Sequence, residues 1–281
     1  RPARLVGLHA TAEHWQLEVA VVGNSRLLQA KLLVAADGGD SSVRRRLGLG
    51  VRERDYGYSA IIATVTPERP VPGTAFERFT DSGPLAMLPM TGGRYSVVWT
   101  ARDSETAGIL GVDDDAFAAN LQQRFGQRMG RLGRPGRRIA YPLRLVLAKQ
   151  LTQPRAVLIG NAAHTLHPVA GQGFNLGLRD VAELAELIDE AQRNGQDPGR
   201  NAVVSAYRKR RTPDQTGAAM LTDTLARLFV NPWTPVRLGR NLGMLGLDLL
   251  PPARHRLAQR FMGTGGRQSR LARGLALGSG E

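Results

Sequence analysis

The chain has 281 residues, 42% of them hydrophobic, enough to bury a large core in one or two domains. It has no cysteine, which excludes disulfides, thiolate metal sites and a cysteine nucleophile, and no run of 18 uncharged apolar residues, so no transmembrane helix is expected. The net charge of +14 is uneven: residues 201–281 hold 13 Lys/Arg against 4 Asp/Glu, a bias that fits a solvated surface, an anionic membrane, or an acidic or nucleic-acid partner.

The start, Arg1-Pro2-Ala3-Arg4, has neither an initiating Met nor an apolar signal region and reads as the beginning of a fragment. Residues 1–36 read as three strands: Arg4 to Ala10, Trp15 to Val22, and the buried run Ala30 to Ala36. The last feeds Asp37-Gly38-Gly39-Asp40-Ser41-Ser42-Val43-Arg44, a turn and helix start that Asp40 or Ser41 can cap and Gly48 can close. Residues 51–150 alternate β-like runs, Ala60 to Thr66, Ala75 to Phe79, Leu85 to Met90 and Tyr95 to Thr100, with Pro- and Gly-rich turns, which predicts an antiparallel sheet. Asp113-Asp114-Asp115 then caps a helix reaching about Met129, with Phe117, Leu121 and Phe125 at four-residue spacing, before a strand from Ile139 to Leu147.

The most informative stretch runs from Val157 to Asp180. Val157, Leu158 and Ile159 read as a buried strand stopped by Gly160, and Leu176, Leu178, Val181, Leu184, Leu187 and Ile188 predict a helix beginning near Gly173. A strand, a loop of small residues and a helix in that order aim free backbone N–H groups at one spot, a seat for a polar or anionic ligand. His164 and His167 lack a third ligand at metal spacing and precede Pro168, so no metal site is expected; no G-x-S-x-G elbow marks a hydrolase. Beyond Arg200 the pattern predicts helices over Asn201 to Arg211, Asp214 to Val230, Val236 to Leu250 and Ala253 to Met262, with breaks at Asn231-Pro232-Trp233 and Pro251-Pro252 and a weak tail from Leu271 to Gly280. Basic amphipathic helices of this kind suit either a membrane surface or a helical cap.

Two motifs carry a family resemblance. Gly160-Asn161-Ala162-Ala163-His164, His167-Pro168, Gly171-Gln172-Gly173 and Asn175 resemble the second FAD motif of the flavin-dependent aromatic hydroxylases. Asp37, Gly38, Ser41, Val43 and Arg44 match the other internal motif of that family, Asp-Gly-x-x-Ser-x-apolar-Arg, about 120 residues earlier, as the family has it. The segments Leu221-Thr222-Asp223, Arg240-Asn241-Leu242-Gly243 and Ala258-Gln259-Arg260 resemble, more narrowly, the ubiquinone-biosynthesis branch that includes the 2-polyprenyl-6-methoxyphenol hydroxylases.

The resemblance implies cofactor contacts from Asp37, Gly38, Ser41 and Arg44, and from Gly160, Asn161, His164, Pro168, Gly171, Gln172, Gly173 and Asn175, with the loop from Pro168 to Gly173 beside the flavin ring. Asn161 stands where the family usually has Asp; it can still accept a hydrogen bond, without the charge. The implied activity is FAD-dependent hydroxylation of a polyprenylated phenol with NAD(P)H and O2 in ubiquinone biosynthesis. No side chain stands out as an essential acid or base. The implied fold is mixed α/β: parts of a Rossmann-like FAD-binding domain at 1–50 and 153–200, an antiparallel-sheet substrate domain at 51–152, and a helical region at 201–281.

The family's first motif, G-x-G-x-x-G in an N-terminal βαβ unit, has no counterpart here: the spacing after Gly171 is wrong, and Gly263-x-Gly265-Gly266 follows no strand. That predicts weak FAD binding by these 281 residues alone, since the pyrophosphate would lack its helix. The sheet residues Leu85, Met87, Leu88, Met90, Val97 and Trp99 offer an apolar pocket wall, with a core role the favoured reading for Trp99 and Met90, while Arg78 and Arg94 sit beside turns. Expected partners are the prenylated phenol, the inner face of a bacterial membrane approached from the cytoplasm, and a ubiquinone-biosynthesis complex; nucleic acid is not expected, because the basic helices lack interleaved aromatics. The alternative is a non-catalytic lipid- or partner-binding scaffold of that complex, distinguished by the lack of a flavin absorption band.

Overall fold

In the computed structural model, which describes residues 3–80, 83–168, 171–231, 233–263 and 267–278, the chain opens with strands β1 (Ala3–Ala10), β2 (Trp15–Val21), β3 (Asn24–Ala30) and β4 (Leu33–Ala35) and helix α1 (Ser42–Arg46). Then come β5 (Val51–Val65), β6 (Phe76–Thr80), β7 (Gly83–Pro89), β8 (Tyr95–Arg102), α2 (Asp103–Gly111), α3 (Asp114–Phe125) and β9 (Ile139–Ala148). The short strands β10 (Thr152–Gln153), β11 (Ala156–Leu158) and β12 (His164–Thr165) precede the long helices α4 (Gln172–Arg193), α5 (Asn201–Val230), α6 (Thr234–Leu249) and α7 (Pro251–Phe261). Val169 and Ala170 of the expected flavin loop, Pro232, Gly265 and Gly266, the end of the tail, and the side chains of Arg260 and Phe261 lie outside the described residues.

Two compact units emerge: residues 1–54, 145–222 and 251–281 form the first, and residues 55–144 and 223–250 the second. These boundaries differ from the expected ones because β5 is one unbroken strand from Val51 to Val65 and because the C-terminal helices are divided between the units instead of forming a region of their own.

In the first unit β1, β2 and β3 form an antiparallel meander. The third of these strands escaped sequence reading because almost all of its residues are exposed, so no alternation marks it. Strand β4 pairs in parallel with β11, Leu33 opposite Ala156 and Ala35 opposite Leu158. Leu158 packs with Trp15, Leu33 and Leu47 on one side, whereas Val157 packs with Leu184, Leu187, Val203 and Tyr207 of α4 and α5 on the other. Burial on both faces is why residues 157–159 read as a continuous apolar run.

Helix α5 corrects the expected break near residue 213: it is a single helix of 30 residues running through Pro213. A proline there removes a backbone donor and crowds the carbonyl one turn back. The helix survives because Arg211 and Gln215, on either side of the proline, are both buried and bonded to the same carboxylate, that of Asp180. Pro251 and Pro252 likewise begin α7 as well as ending α6, as the free N–H positions of a first helical turn allow. The segment after Arg267 is no loose tail: Glu186 of α4 accepts from Arg267 Nη2 at 2.9 Å and from the Arg270 backbone N–H at 2.6 Å.

The second unit is built on an antiparallel sheet in the order β9-β5-β8-β7-β6. Its pairing places Ile61 opposite Trp99 and Leu85 opposite Trp99, so Ile61, Leu85, Met87, Val97 and Trp99 share one face. That face is covered by Phe117, Leu121 and Phe125 of α3, whose N-cap Asp113 accepts from the Ala116 N–H at 2.7 Å. Leu85, Met87 and Val97 are therefore core residues and not the pocket wall expected of them, and Trp99 takes the core role favoured for it, since a residue two along a strand returns to the same, here covered, face. The opposite face carries Ile62, Ala86, Leu88 and Val98. Helix α2 was not anticipated because it buries no residue and so has no apolar period. Arg78 is tied to the core helix, donating to the Phe125 carbonyl at 2.9 Å, and Arg94 sits in an exposed turn.

Leu121 is wholly buried against Trp99, Met129 and the other residues of this core. Leu121→Ala is expected to cost about 2–5 kcal/mol, the range for a truncated core leucine, read as a lower midpoint in urea denaturation with an unchanged slope.

Candidate functional site

Both motifs lie in the first unit. The turn after β4 is fixed by Asp37, whose Oδ2 accepts from the backbone N–H groups of Ser42 at 2.7 Å and Val43 at 3.0 Å, while Oδ1 accepts from the Ser41 hydroxyl. Burial pushes the Asp37 carboxyl up, but the hydrogen bonds from Ser41, Val43 and Ser42 outweigh it and hold it below the usual carboxylate range. Ser41 is the N-cap, accepting from the Arg44 N–H at 2.9 Å.

Arg44 joins the two motifs. Its buried guanidinium donates to the Gly39 carbonyl and to the Ala162 carbonyl, each at 2.8 Å, so the loop after β4 and the loop after β11 are held by one side chain. The spacing of the first motif could identify Arg44, but not that its donors are committed to backbone. A Cβ on Gly39 would stand 2.9 Å from Thr165 Oγ1, which shows how closely the two loops approach.

The second loop begins with Gly160 at φ +56 and ends with Gly171 at φ +62, conformations that favour glycine. Gly171 is the N-cap of α4, and its N–H donates to the Pro168 carbonyl at 2.9 Å. Gln172 is buried at the start of the helix; Asn161, Pro168 and Asn175 are exposed. No acidic residue occupies the first turn of α4, leaving the positive end of a 22-residue helix uncompensated.

The residue that sequence reading left without a role is Asp180. Its fully buried carboxylate accepts from Gly160 N–H at 3.0 Å, His164 Nε2 at 2.7 Å, Arg211 Nε at 2.7 Å and Gln215 Nε2 at 2.8 Å. Burial pushes this carboxyl up, but His164, Arg211 and Gln215 together hold it below the usual range. Since a carboxylate only accepts, His164 carries its hydrogen on Nε2, and its role is to lock the loop onto α4. The signal that could have found Asp180 is a charged residue on the apolar face of α4, in register with Leu176 and Leu184.

The residues fit a flavin cofactor. His164 Nδ1 and Thr165 Oγ1 are buried with no hydrogen-bond partner among the described residues. Gly38, Gly160, Gly171 and Gly173 have open space where a side chain would begin, so a planar group can approach the backbone there. Among the described residues no cluster of His, Asp or Glu could hold a metal ion.

Replacing Asp180 with Asn would break its buried ion pair with Arg211, leaving that guanidinium Asp214 alone, and is expected to cost up to about 3–5 kcal/mol. The folded Asp180 carboxyl lies below its unfolded value of 3.8, so its contribution is complete above that pH and is lost as pH falls from there through the folded value. Acid titration of stability should accordingly be shallower below 3.8 in Asp180→Asn than in the parent chain.

Residues 3–222 match the FAD binding domain family. Ubiquinone hydroxylase UbiL of Rhodospirillum rubrum is 41% identical over 279 residues, covering 98% of this chain, which spans 64% of that relative's length. The 3-demethoxyubiquinol 3-hydroxylase of Escherichia coli is 32% identical over 88% of the chain and 62% of its own length. The ubiquinone biosynthesis monooxygenase COQ6 of Homo sapiens is 29% identical over 84% of the chain and 58% of its own. Among solved structures, the fold is shared with p-nitrophenol 4-monooxygenase PnpA from Pseudomonas putida (TM-score 0.75, 18% identity, 95% of this chain and 67% of that one). It is shared as well with the anhydrotetracycline hydroxylase OxyS from Streptomyces rimosus (TM-score 0.72, 23% identity, 95% and 53%). The chain belongs to the FAD binding domain family, and its curated relatives include hydroxylases of ubiquinone biosynthesis.

Proposed function

We propose that the protein is an FAD-dependent monooxygenase that hydroxylates a polyprenylated phenol with NAD(P)H and O2 in ubiquinone biosynthesis. The observation that carries this reading is the 41% identity, sustained over 279 residues, with the R. rubrum ubiquinone hydroxylase. Bound FAD would supply the reduction of O2 and delivery of one oxygen atom to the ring. The chain's own part is positional. The N-terminal N–H groups of α4 favour negative charge beside Gly171 and Gly173, Arg44 holds the two cofactor loops at a fixed separation, and Asp180 anchors Gly160 and His164 to α4. Gly38, Gly160, Gly171, Gln172 and Gly173 would border the cofactor, with Asn161, Pro168 and Asn175 on its exposed side.

For the substrate, Leu88 of the expected wall remains, with Ile62, Ala86 and Val98 beside it on the sheet face away from α3, in place of the buried Leu85, Met87 and Val97. Burying a prenyl chain yields about 0.8 kcal/mol per CH2, so a few isoprene units outweigh any one polar contact to the ring. Full-length protein supplied with FAD should consume NAD(P)H in step with product formation for a prenylated phenol, and far less efficiently for 4-hydroxybenzoate. Equal efficiency on the soluble acid would sink the ubiquinone assignment while leaving the flavin fold intact.

The protein would work at the inner face of the bacterial membrane, where such a substrate resides, with a ubiquinone-biosynthesis complex as its setting. No helix among the described residues is long and apolar enough to cross a bilayer. Helix α6 instead supports surface binding: it buries no residue, and Leu238, Leu242, Leu245 and Leu249 form one exposed stripe, with Trp233 exposed at its start and Arg237 beside it. An apolar stripe with basic flanks is the composition of interfacial helices. Flotation with anionic liposomes should be lost in a Leu242→Glu/Leu245→Glu variant; undiminished flotation would remove the membrane reading.

A further inference from the structure

Apart from the glycine-lined loop, the first unit contains a cleft of about 550 Å3 bordered by α4, α5, α7 and the segment after residue 267. Five arginines line it: Arg179, Arg210, Arg211, Arg256 and Arg267, against the carboxylates of Glu183 and Asp214. Both acids are already engaged. Asp214 takes Arg211 at 2.7 Å and Arg179 at 2.9 Å, and Glu183 takes Arg210 at 2.7 Å. Arg267 reaches outward to Glu186 at 2.9 Å while its side chain stays more than half exposed.

Arg256, exposed on α7, has no carboxylate partner among the described residues. The Arg179 guanidinium lies close against Gly263 at the cleft's edge, 1.6 Å from where a Cβ on that glycine would stand. Convergent like charges raise the local potential and favour an anion. Guanidinium forks entering from four segments suit an oxyanion with acceptors in several directions better than a planar carboxylate, which one or two forks satisfy. The volume lies within the range of small-ligand sites.

We propose that this arginine-lined cleft is a binding site for a phosphoryl anion, a phosphomonoester or diphosphate group, carried either by a soluble molecule or by a lipid headgroup. The proposal does not rest on the hydroxylase reading, although Gln172 lies at both the cleft and the cofactor loop. The probe is pyrophosphate, titrated calorimetrically into the purified protein at fixed ionic strength. Saturable binding should appear, with a rise in melting temperature that sodium chloride of equal ionic strength does not produce.

Arg256→Gln should weaken that binding about tenfold or more, the loss of at least one charge-assisted hydrogen bond, and leave the melting temperature without pyrophosphate unchanged, since this side chain is exposed and unpaired. Arg256→Lys, which keeps the charge and loses the fork, should fall between the two. Vesicles containing phosphatidic acid separate the sources: retention that pyrophosphate displaces and Arg256→Gln abolishes assigns the headgroup, whereas pyrophosphate binding with vesicle retention indifferent to Arg256→Gln assigns a soluble ligand. No pyrophosphate binding above the chloride control, or equal binding by Arg256→Gln and the parent, overturns the proposal.

Discussion

The first unit depends on the fully buried negative charge of Asp180. Asp180 stands on the inward face of α4 and takes donors from three directions: the backbone N–H of Gly160 at the end of the β11 strand, the imidazole of His164 in the loop that follows, and the side chains of Arg211 and Gln215 on α5. Burying a carboxylate costs several kcal/mol unless its lone pairs are met, and here all of them are. The arrangement is therefore nearly all-or-none. A loop, a helix start and a second helix with a proline in its middle are fixed together, and the loop so fixed is the one whose glycines leave space for the cofactor.

Much of this could be read from residue order. The apolar run at 157–159, the glycines at 160, 171 and 173 and the helical spacing after Asn175 located the loop, and the match at Asp37, Ser41 and Arg44 located its neighbour. What could not be read was which polar groups face inward. Asp37 and Arg44 were expected at the cofactor from their type and spacing; that Asp37 is also bonded to the start of α1 and Arg44 to two backbone carbonyls had no sequence signal. A motif records that a residue type is needed at a position; its hydrogen-bond partners depend on segments more than 100 positions away, as with Arg44 and Ala162.

The same limit explains why residues of both sheet faces were grouped as one pocket wall. The strands were legible from their β-branched and aromatic content, but their pairing is what sets Leu85, Met87, Val97 and Trp99 on one face and Ala86, Leu88 and Val98 on the other. Which set is covered is decided by α3, whose Phe117, Leu121 and Phe125 present an apolar stripe to the first set. Tyr95 and Trp99 made that choice energetically: large rings bury most area, and Trp99 lies 5.5 Å from the ring of Phe117.

The exposed apolar residues then acquire a meaning that composition alone did not give. On α4, Phe174, Leu178 and Val181 are exposed on the side away from Leu176, Asp180 and Leu184, so one helix presents a fully satisfied interior and an unsatisfied exterior. On α6 the imbalance is complete, with no buried residue at all. Single exposed leucines are ordinary, but a stripe repeated over four turns is not. Helices α4 and α5 are held by Leu184, Leu187, Val203 and Tyr207 packed on Val157 and by the Arg210–Glu183 pair, which leaves Phe174, Leu178 and Val181 on the far side of α4 outside that core. Under the proposed function, what positions the cofactor is rigid, and the exposed apolar faces are the adaptable surface that would meet a lipid.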